Sequence, residues 1–126
     1  MSAYDDSVYT CEIADVLGQG WALRFDTAAA IAAELCCRER IGRDMDYLTL
    51  AGAASQRIYY ALLAIAYGAM VSAARHSGVN AAPFDAFERA FPLPSLLASR
   101  AAIFNGIYAY LPPGGKKKEP DAQAGG

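Results

Sequence analysis

The longest apolar stretch of the chain covers residues 58–74, contains no charged side chain and is bounded by Arg57 and Arg75. As a helix it would rise roughly 26 Å, which is less than the hydrocarbon thickness of about 30 Å that a membrane helix must cross. Its many alanine and tyrosine residues also contribute little to membrane insertion. We therefore expect the central buried helix of a soluble domain, with a single membrane span as the alternative.

The segment before this helix alternates between apolar and polar side chains. Residues 8–15 and 21–25 both follow a period of two, and the glycine-bearing residues 17–20 lie between them. Two such segments joined by a short turn predict a β-hairpin. Its second strand would cover the helical body with three large side chains that share one face: Trp21, Leu23 and Phe25.

A first helix is predicted over residues 28–41. Asp26 or Thr27 can cap its amino end, and Gly42 is a typical carboxyl-terminal stop. Glu34 and Arg38 are spaced as a surface pair. The expected inner stripe consists of the larger apolar residues: Ile31, Leu35 and Ile41.

The central helix is expected to begin after a cap at Ser55 and to end at Gly78, with a short helix before it within residues 43–54. The glycine can adopt the left-handed conformation that ends many helices. A serine cap favours a helix start at the residue that follows it. The pattern thus predicts one helix over residues 56–76.

Two more helices are predicted near the carboxyl end, over residues 83–90 and 96–111. Pro83 suits the first position of a helix, and the prolines at 92 and 94 are expected to separate the two helices, with Ser95 capping the second. Three phenylalanines at three- and four-residue spacing should line one side: Phe84, Phe87 and Phe91.

The predicted fold class is mainly α. We expect a compact helical domain of about four helices with a short N-terminal β-hairpin and a disordered C-terminal tail. The expected boundaries are a flexible N-terminus at residues 1–7, a single globular domain at 8–111 and the tail at 112–126. The tail holds all three lysines and too few apolar residues to offset the entropy lost on ordering.

Composition narrows the possible functions. Hydrophobic residues make up 55% of the chain and charged residues 19%, a balance that suggests a large core, an oligomer or a surface for a protein partner. A net charge of −2 argues against non-specific binding of nucleic acid. The three cysteines do not suggest a disulfide framework, and the first residues lack the basic and then apolar pattern of a signal peptide. Both observations predict a cytoplasmic protein.

No group of residues in the sequence points to catalysis, so we expect no enzymatic activity, no metal and no cofactor. His76 is the only histidine, and its place at a helix end is explained by the helix dipole. Cys36 and Cys37 would be reactive thiols if exposed near arginine; otherwise they are small buried fillers. Asp44 and Asp46 are interpreted as capping or solvent-facing carboxylates.

Aromatic residues are the best candidates for contact with a partner. The tyrosines of the central helix cover more than one of its faces. Core packing explains them, and a protein interface is the alternative, because tyrosine is enriched at interfaces. The candidate partner-binding residues are Tyr59, Tyr60, Tyr67, Phe84 and Phe87.

The order of the elements carries a resemblance to a known family. A hairpin ending in W-A-L-R-F-D-T leads into a helix that closes with I-G-R, and a long apolar helix is followed by a short F-D-A-F-E-R-A-F helix. Residues 21–42 and 56–91 in this order resemble the tail assembly chaperones of long-tailed bacteriophages. The likeness is one of element order and apolar positions over most of residues 8–111.

The resemblance implies a non-enzymatic helper in the host bacterial cytoplasm. Such chaperones bind the tape-measure protein and the tail-tube protein before the tail polymerises, and they are absent from the finished particle. The family often makes a longer product by ribosomal frameshifting, and residues 114–118 can be encoded by slippery codons. A second copy of the chain, in a homo-oligomer, is a further expected partner. The alternative functions are a small structural or head–tail connector protein retained in the particle and a single-span membrane protein.

Overall fold

The hairpin and the helices are both present in the computed structural model, which describes residues 8–111. Strands β1 (Tyr9–Ala14) and β2 (Gly20–Phe25) are followed by six α-helices. The helices are α1 (Thr27–Cys36), α2 (Tyr47–Ser55), α3 (Tyr59–His76), α4 (Phe84–Ala90), α5 (Leu93–Ala98) and α6 (Arg100–Tyr110). The mainly helical class with an N-terminal hairpin is confirmed, with six helices where about four were expected. The predicted flexible N-terminus and disordered tail lie outside the described residues.

Helix α3 forms the centre of the fold. Twelve of its eighteen residues are buried, and α1, β2 and α2 all pack against it. The expectation of a central buried helix is therefore confirmed. Across residues 8–111, none of the helices has both the length and the apolar character needed to cross a bilayer.

The two strands pair antiparallel in a continuous register, from Tyr9 opposite Phe25 to Ala14 opposite Gly20. Leu23 and Phe25 are buried and Trp21 is half-buried, so the predicted covering face of β2 is confirmed. Because β2 contacts α3 and both strands contact α6, the hairpin closes one side of the helical core.

The hairpin turn is organised by Asp15, which the glycine pattern did not reveal. One carboxylate oxygen of Asp15 accepts hydrogen bonds from the backbone amides of Leu17 and Gln19, and the other accepts from the Trp21 indole at 2.8 Å. The indole bond is the main reason that the pKa of Asp15 lies below its ordinary value. Gly18 contributes the left-handed backbone, with φ +83°.

Helix α1 packs on α3 through its smallest side chains, so the predicted inner stripe is wrong at Ile31 and Leu35, whereas Ile41 is half-buried against the core. A Cβ atom on Gly68 would lie 2.5 Å from the Ala29 carbonyl oxygen and 2.6 Å from the Ala33 amide nitrogen. The two backbones are therefore closer than large side chains would allow. Ile31 and Leu35 face outward instead, 53% and 40% exposed. The buried residues of α1 are Ala29, Ala30, Ala33 and Cys36.

Both ends of α1 agree with the sequence. The Asp26 carboxylate accepts from the Ala29 amide and is the cap, whereas the Thr27 hydroxyl shares a hydrogen bond with the hydroxyl of Tyr110. After Cys36 the helix continues as one π-helical turn, Cys37–Ile41, and stops at Gly42 with φ +89°. Glu34 does not pair with Arg38, since its carboxylate accepts from the Tyr47 amide.

The junction between α2 and α3 contradicts the predicted start at Ser55. Ser55 is the last residue of α2, and its hydroxyl donates back to the Gly52 carbonyl. Arg57 then adopts φ +65°, and the amides of Arg57 and Ile58 donate to the carbonyls of Ala54 and Ala53. This hydrogen-bond pair is a Schellman motif, which usually has glycine at the left-handed position. With arginine at this position, no residue marks the helix end in the sequence.

We expect Arg57→Gly to stabilise the protein. A non-glycine residue in the left-handed region costs about 1–2 kcal/mol, and the greater freedom of glycine in the unfolded chain cancels part of this gain. The free energy of unfolding should rise by about 0.5–1 kcal/mol in urea denaturation. Gly78 occupies the same position at the end of α3, with φ +76°, so Gly78→Ala should lower stability instead. Equal effects of the two changes would contradict the argument.

The carboxyl-terminal helices divide differently from the prediction. Pro94 lies in the first turn of α5 rather than breaking a helix, because an amide in the first turn needs no partner within the helix. Ser95 lies within α5 instead of capping a helix. The predicted single helix over residues 96–111 is interrupted at Ser99, whose φ and ψ are −95° and 3°. The three phenylalanines that were predicted to line one side of the 83–91 region are all buried.

Asp26 links β2, α1 and α3. Besides capping α1, its carboxylate accepts from the Ser72 hydroxyl at 2.7 Å and from Arg24 Nε at 3.0 Å. Partial burial by itself raises the pKa of Asp26, but the hydrogen bonds from Ser72, Ala29 and Arg24 outweigh it and hold the pKa below its ordinary value.

This lowered pKa predicts an acid-sensitive contribution to stability. A depressed folded-state pKa stabilises the protein above the unfolded pKa, and the stabilisation is lost as pH falls through the folded pKa. We expect Asp26→Asn to cost about 1 kcal/mol near pH 7, and the difference from wild type to shrink below about pH 4. A constant difference between Asp26→Asn and wild type down to pH 2 would refute the linkage.

Candidate protein-binding surface

The outer face of α1 forms one wall of a groove of about 700 Å³. Ile31 and Leu35 line this wall, and Val79 and Pro83 line the groove from the connection between α3 and α4. Val79 is 58% exposed. Three large apolar side chains, Ile31, Leu35 and Val79, therefore surround the same depression. We call it the aromatic groove, because the rings of Tyr67 and Phe84 also line it.

Two of the predicted partner-binding residues lie in the floor of the aromatic groove. The rings of Tyr67 and Phe84 meet edge to face at 5.3 Å between centroids, and the Tyr67 hydroxyl donates to the Ala82 carbonyl. Burial raises the pKa of Tyr67, so its phenol stays protonated. Phe87 packs against Tyr67 from inside and is fully buried. Phe87 is therefore a core residue that a partner cannot reach.

The two other tyrosines lie away from the groove. The Tyr59 hydroxyl donates to the Phe91 carbonyl at 2.8 Å, and burial raises the pKa of Tyr59. Tyr60 is half-buried, with its hydroxyl 3.8 Å from the sulfur of Met45 and the Arg43 guanidinium over its ring. The structure therefore brings together Tyr67, Phe84 and Phe87 and leaves Tyr59 and Tyr60 at separate positions.

A second, smaller groove of about 210 Å³ lies on the other side of the same α1 residues. Its lining includes three carboxylates, Glu34, Asp44 and Asp46, together with Arg38, and we call it the acidic groove. Ile31 and Leu35 line both grooves. These two residues thus form an exposed apolar ridge, named here the α1 ridge.

The charges beside the α1 ridge differ from one side to the other. Arg40 and Arg75 are both cationic members of the aromatic groove, with Glu39 as the anionic one. Arg40 is already engaged, because it pairs with Asp85 at 2.7 Å and lies over the Phe84 ring. The carboxylates outnumber the guanidinium group in the acidic groove, so that side of the α1 ridge is net negative, and Arg75 is the cation on the other side that forms no ion pair within residues 8–111.

The two neighbouring cysteines, which the sequence left open as reactive thiols, are shielded by burial. Cys36 and Cys37 are buried, and burial, followed by the neighbouring Cys37, raises the pKa of the Cys36 thiol to about 12. The alternative of reactive thiols is therefore disfavoured. Within residues 8–111, no three His, Cys, Asp or Glu side chains come together as a possible metal site.

Hydrophobic periodicity did not reveal the three exposed residues of this surface, Ile31, Leu35 and Val79. The sequence did contain a sign of this packing, because α1 is rich in alanine and α3 has a glycine, Gly68, near its middle. Helices that meet through alanine and glycine leave their large apolar residues outside. That outcome depends on which α3 residue faces α1, which periodicity does not specify.

Comparisons with protein-family models, with characterised proteins and with solved structures found no match to this chain.

Proposed function

We propose that this protein is a non-enzymatic helper that binds an apolar helical segment of another protein during assembly, and that it acts as a phage tail assembly chaperone. The observation that carries the proposal is the α1 ridge beside the aromatic groove. Single exposed apolar residues are ordinary on protein surfaces, but three around one concave, aromatic-floored depression are typical of a site that receives a partner helix.

The resemblance in element order supports the more specific part of the proposal. A tape-measure protein is a long helical chain whose apolar stripes would aggregate before the tail assembles, and a small domain with an apolar groove can cover such stripes. The tail-tube protein is the second proposed partner. The groove accounts for binding by burial of apolar side chains, with no reaction at any residue.

The test is binding to the product of a neighbouring gene that encodes a very long helical chain. The two proteins should co-purify after co-expression, and Leu35→Lys should weaken the complex about tenfold or more, since a charged group would enter an apolar interface. Leu97→Lys is the matched control, because Leu97 is a helical leucine outside the groove with nearly the same exposure, 41% against 40%.

Mass spectrometry of purified particles separates the helper from a structural protein. A chaperone should be present in the infected cell and absent from the finished particle. Recovery of the chain from particles at stoichiometric amounts would replace the chaperone proposal with a connector or other structural role. The absence of any long helical neighbour that binds the chain would remove the tape-measure proposal.

A further inference from the structure

Two charges of opposite sign that are unpaired within residues 8–111 lie on opposite sides of the α1 ridge. Within residues 8–111, neither Arg75 nor Asp44 takes part in an ion pair. Other charged residues near the ridge do: Arg40 pairs with Asp85, and Arg38 lies 4.0 Å from Glu39. Arg75 and Asp44 are both exposed. Arg75 belongs to the aromatic groove and Asp44 to the acidic groove.

The remaining acidic groups are partly occupied within the chain. Glu34 accepts from the Tyr47 amide at 2.8 Å, and Asp46 caps α2 by accepting from the Thr49 amide at 2.8 Å. Asp44 has no such role in the described residues. It is therefore the carboxylate of the acidic groove that is most available to a cation from outside.

A surface with this layout is complementary to itself. Consider a two-fold axis that lies in the interface, passes through the α1 ridge and is perpendicular to the line from Arg75 to Asp44. Rotation about this axis places Arg75 of one copy opposite Asp44 of the other. Each arginine then meets the aspartate of the other copy, and the pairing occurs twice because an isologous interface repeats every contact. The apolar ridges meet at the centre, where burial removes Ile31 and Leu35 from water.

We infer that a second copy of this chain covers the α1 ridge, in a two-fold dimer held by apolar contact at Ile31 and Leu35 and by two reciprocal Arg75–Asp44 ion pairs. The surface is small, so the dimer is weak and depends on concentration. The dimer covers the same ridge that the proposed partner would bind, and the two complexes therefore exclude each other.

Charge reversal in the full-length chain tests this dimer by sedimentation equilibrium over a rising concentration series. Arg75→Glu alone places two pairs of like charges across the axis, and Asp44→Arg alone does the same with the opposite sign. Each variant should dimerise about tenfold or more weakly than wild type. An equimolar mixture of the two variants restores both attractive pairs, so it should dimerise as wild type does.

The mixture distinguishes a specific interface from damage to the fold, since two misfolded variants would not rescue each other. Leu35→Lys should also abolish the dimer, and Leu97→Lys should leave it intact. A wild-type chain that stays monomeric throughout the series, single variants that dimerise like wild type, or a mixture that fails to recover would each overturn the inference.

These experiments contain this chain alone. Their failure would leave the proposed binding of a tape-measure helix standing, and a protein without that partner would still be expected to dimerise. The inference rests on the proposed function only in using the same surface.

Discussion

Gly68→Ala is expected to lower the free energy of unfolding by about 2 kcal/mol. The new methyl group would lie within 2.6 Å of the Ala29 carbonyl oxygen and the Ala33 amide nitrogen. Both are backbone atoms of α1 and cannot rotate aside, so the helices must separate. Overpacking of this kind costs about 3 kcal/mol, and the better helix propensity of alanine returns about 1 kcal/mol. Urea denaturation followed by circular dichroism measures the difference.

Gly52→Ala is the matched control for this prediction. Gly52 also lies within a helix, and a Cβ atom there would meet nothing within 4 Å. The identical substitution should therefore stabilise the protein by up to about 1 kcal/mol. The opposite signs of the two changes isolate the contact between α1 and α3. A neutral or stabilising Gly68→Ala would show that the two helices do not approach each other this closely.

Ile65→Asp is expected to unfold the protein. Ile65 is 1% exposed at the middle of α3, and a carboxylate there would be buried without a partner. Such a substitution costs on the order of 4 kcal/mol or more, which is most of the stability of an ordinary domain. The expected result is loss of the cooperative thermal transition and of dispersed amide signals in a proton NMR spectrum.

Two further variants keep the Ile65 prediction testable when the aspartate variant cannot be purified. Ile65→Val removes one methylene and should cost about 1 kcal/mol, within measurable range. Leu48→Asp introduces the same charge on α2 at a side chain that is 68% exposed, and it should fold normally. A folded Ile65→Asp protein with wild-type stability would refute the central position of α3.

The candidate binding surface is a consequence of how α1 packs. Because alanines of α1 lie against Gly68, the larger Ile31 and Leu35 are left on the outside of the same helix. Changes at Gly68 should therefore disturb the surface as well as the stability of the fold. Changes on the α1 ridge should affect binding while leaving the fold intact.

Helix ends show how far local sequence could be interpreted. Gly42 and Gly78 were identified as stops because glycine adopts the left-handed conformation at low cost, and both have positive φ. Arg57 adopts the same left-handed conformation at the end of α2, but arginine is not a residue that predicts a helix end. The prediction therefore continued α3 through residues 56–58, although its carboxyl end at His76 was correct.

The candidate site was only partly predictable for the same kind of reason. The aromatic side chains were recognised from their spacing, and Tyr67 and Phe84 do lie in the floor of the aromatic groove. Phe87 follows the same spacing but is enclosed by the core. Spacing shows which residues share a face of a helix, and it does not show whether another element covers that face.

By itself, the sequence determined the hairpin, the mainly helical class and the central place of the uncharged helix. These features follow from local periodicity, from caps such as Asp26 and from the absence of charge, all of which act within a few residues along the chain. Only the tertiary structure decided which side of α1 is buried, where α2 ends and which apolar residues stay exposed. Those outcomes depend on the closest approach of two backbones at Gly68, and such a contact between distant segments leaves no periodic trace in either one.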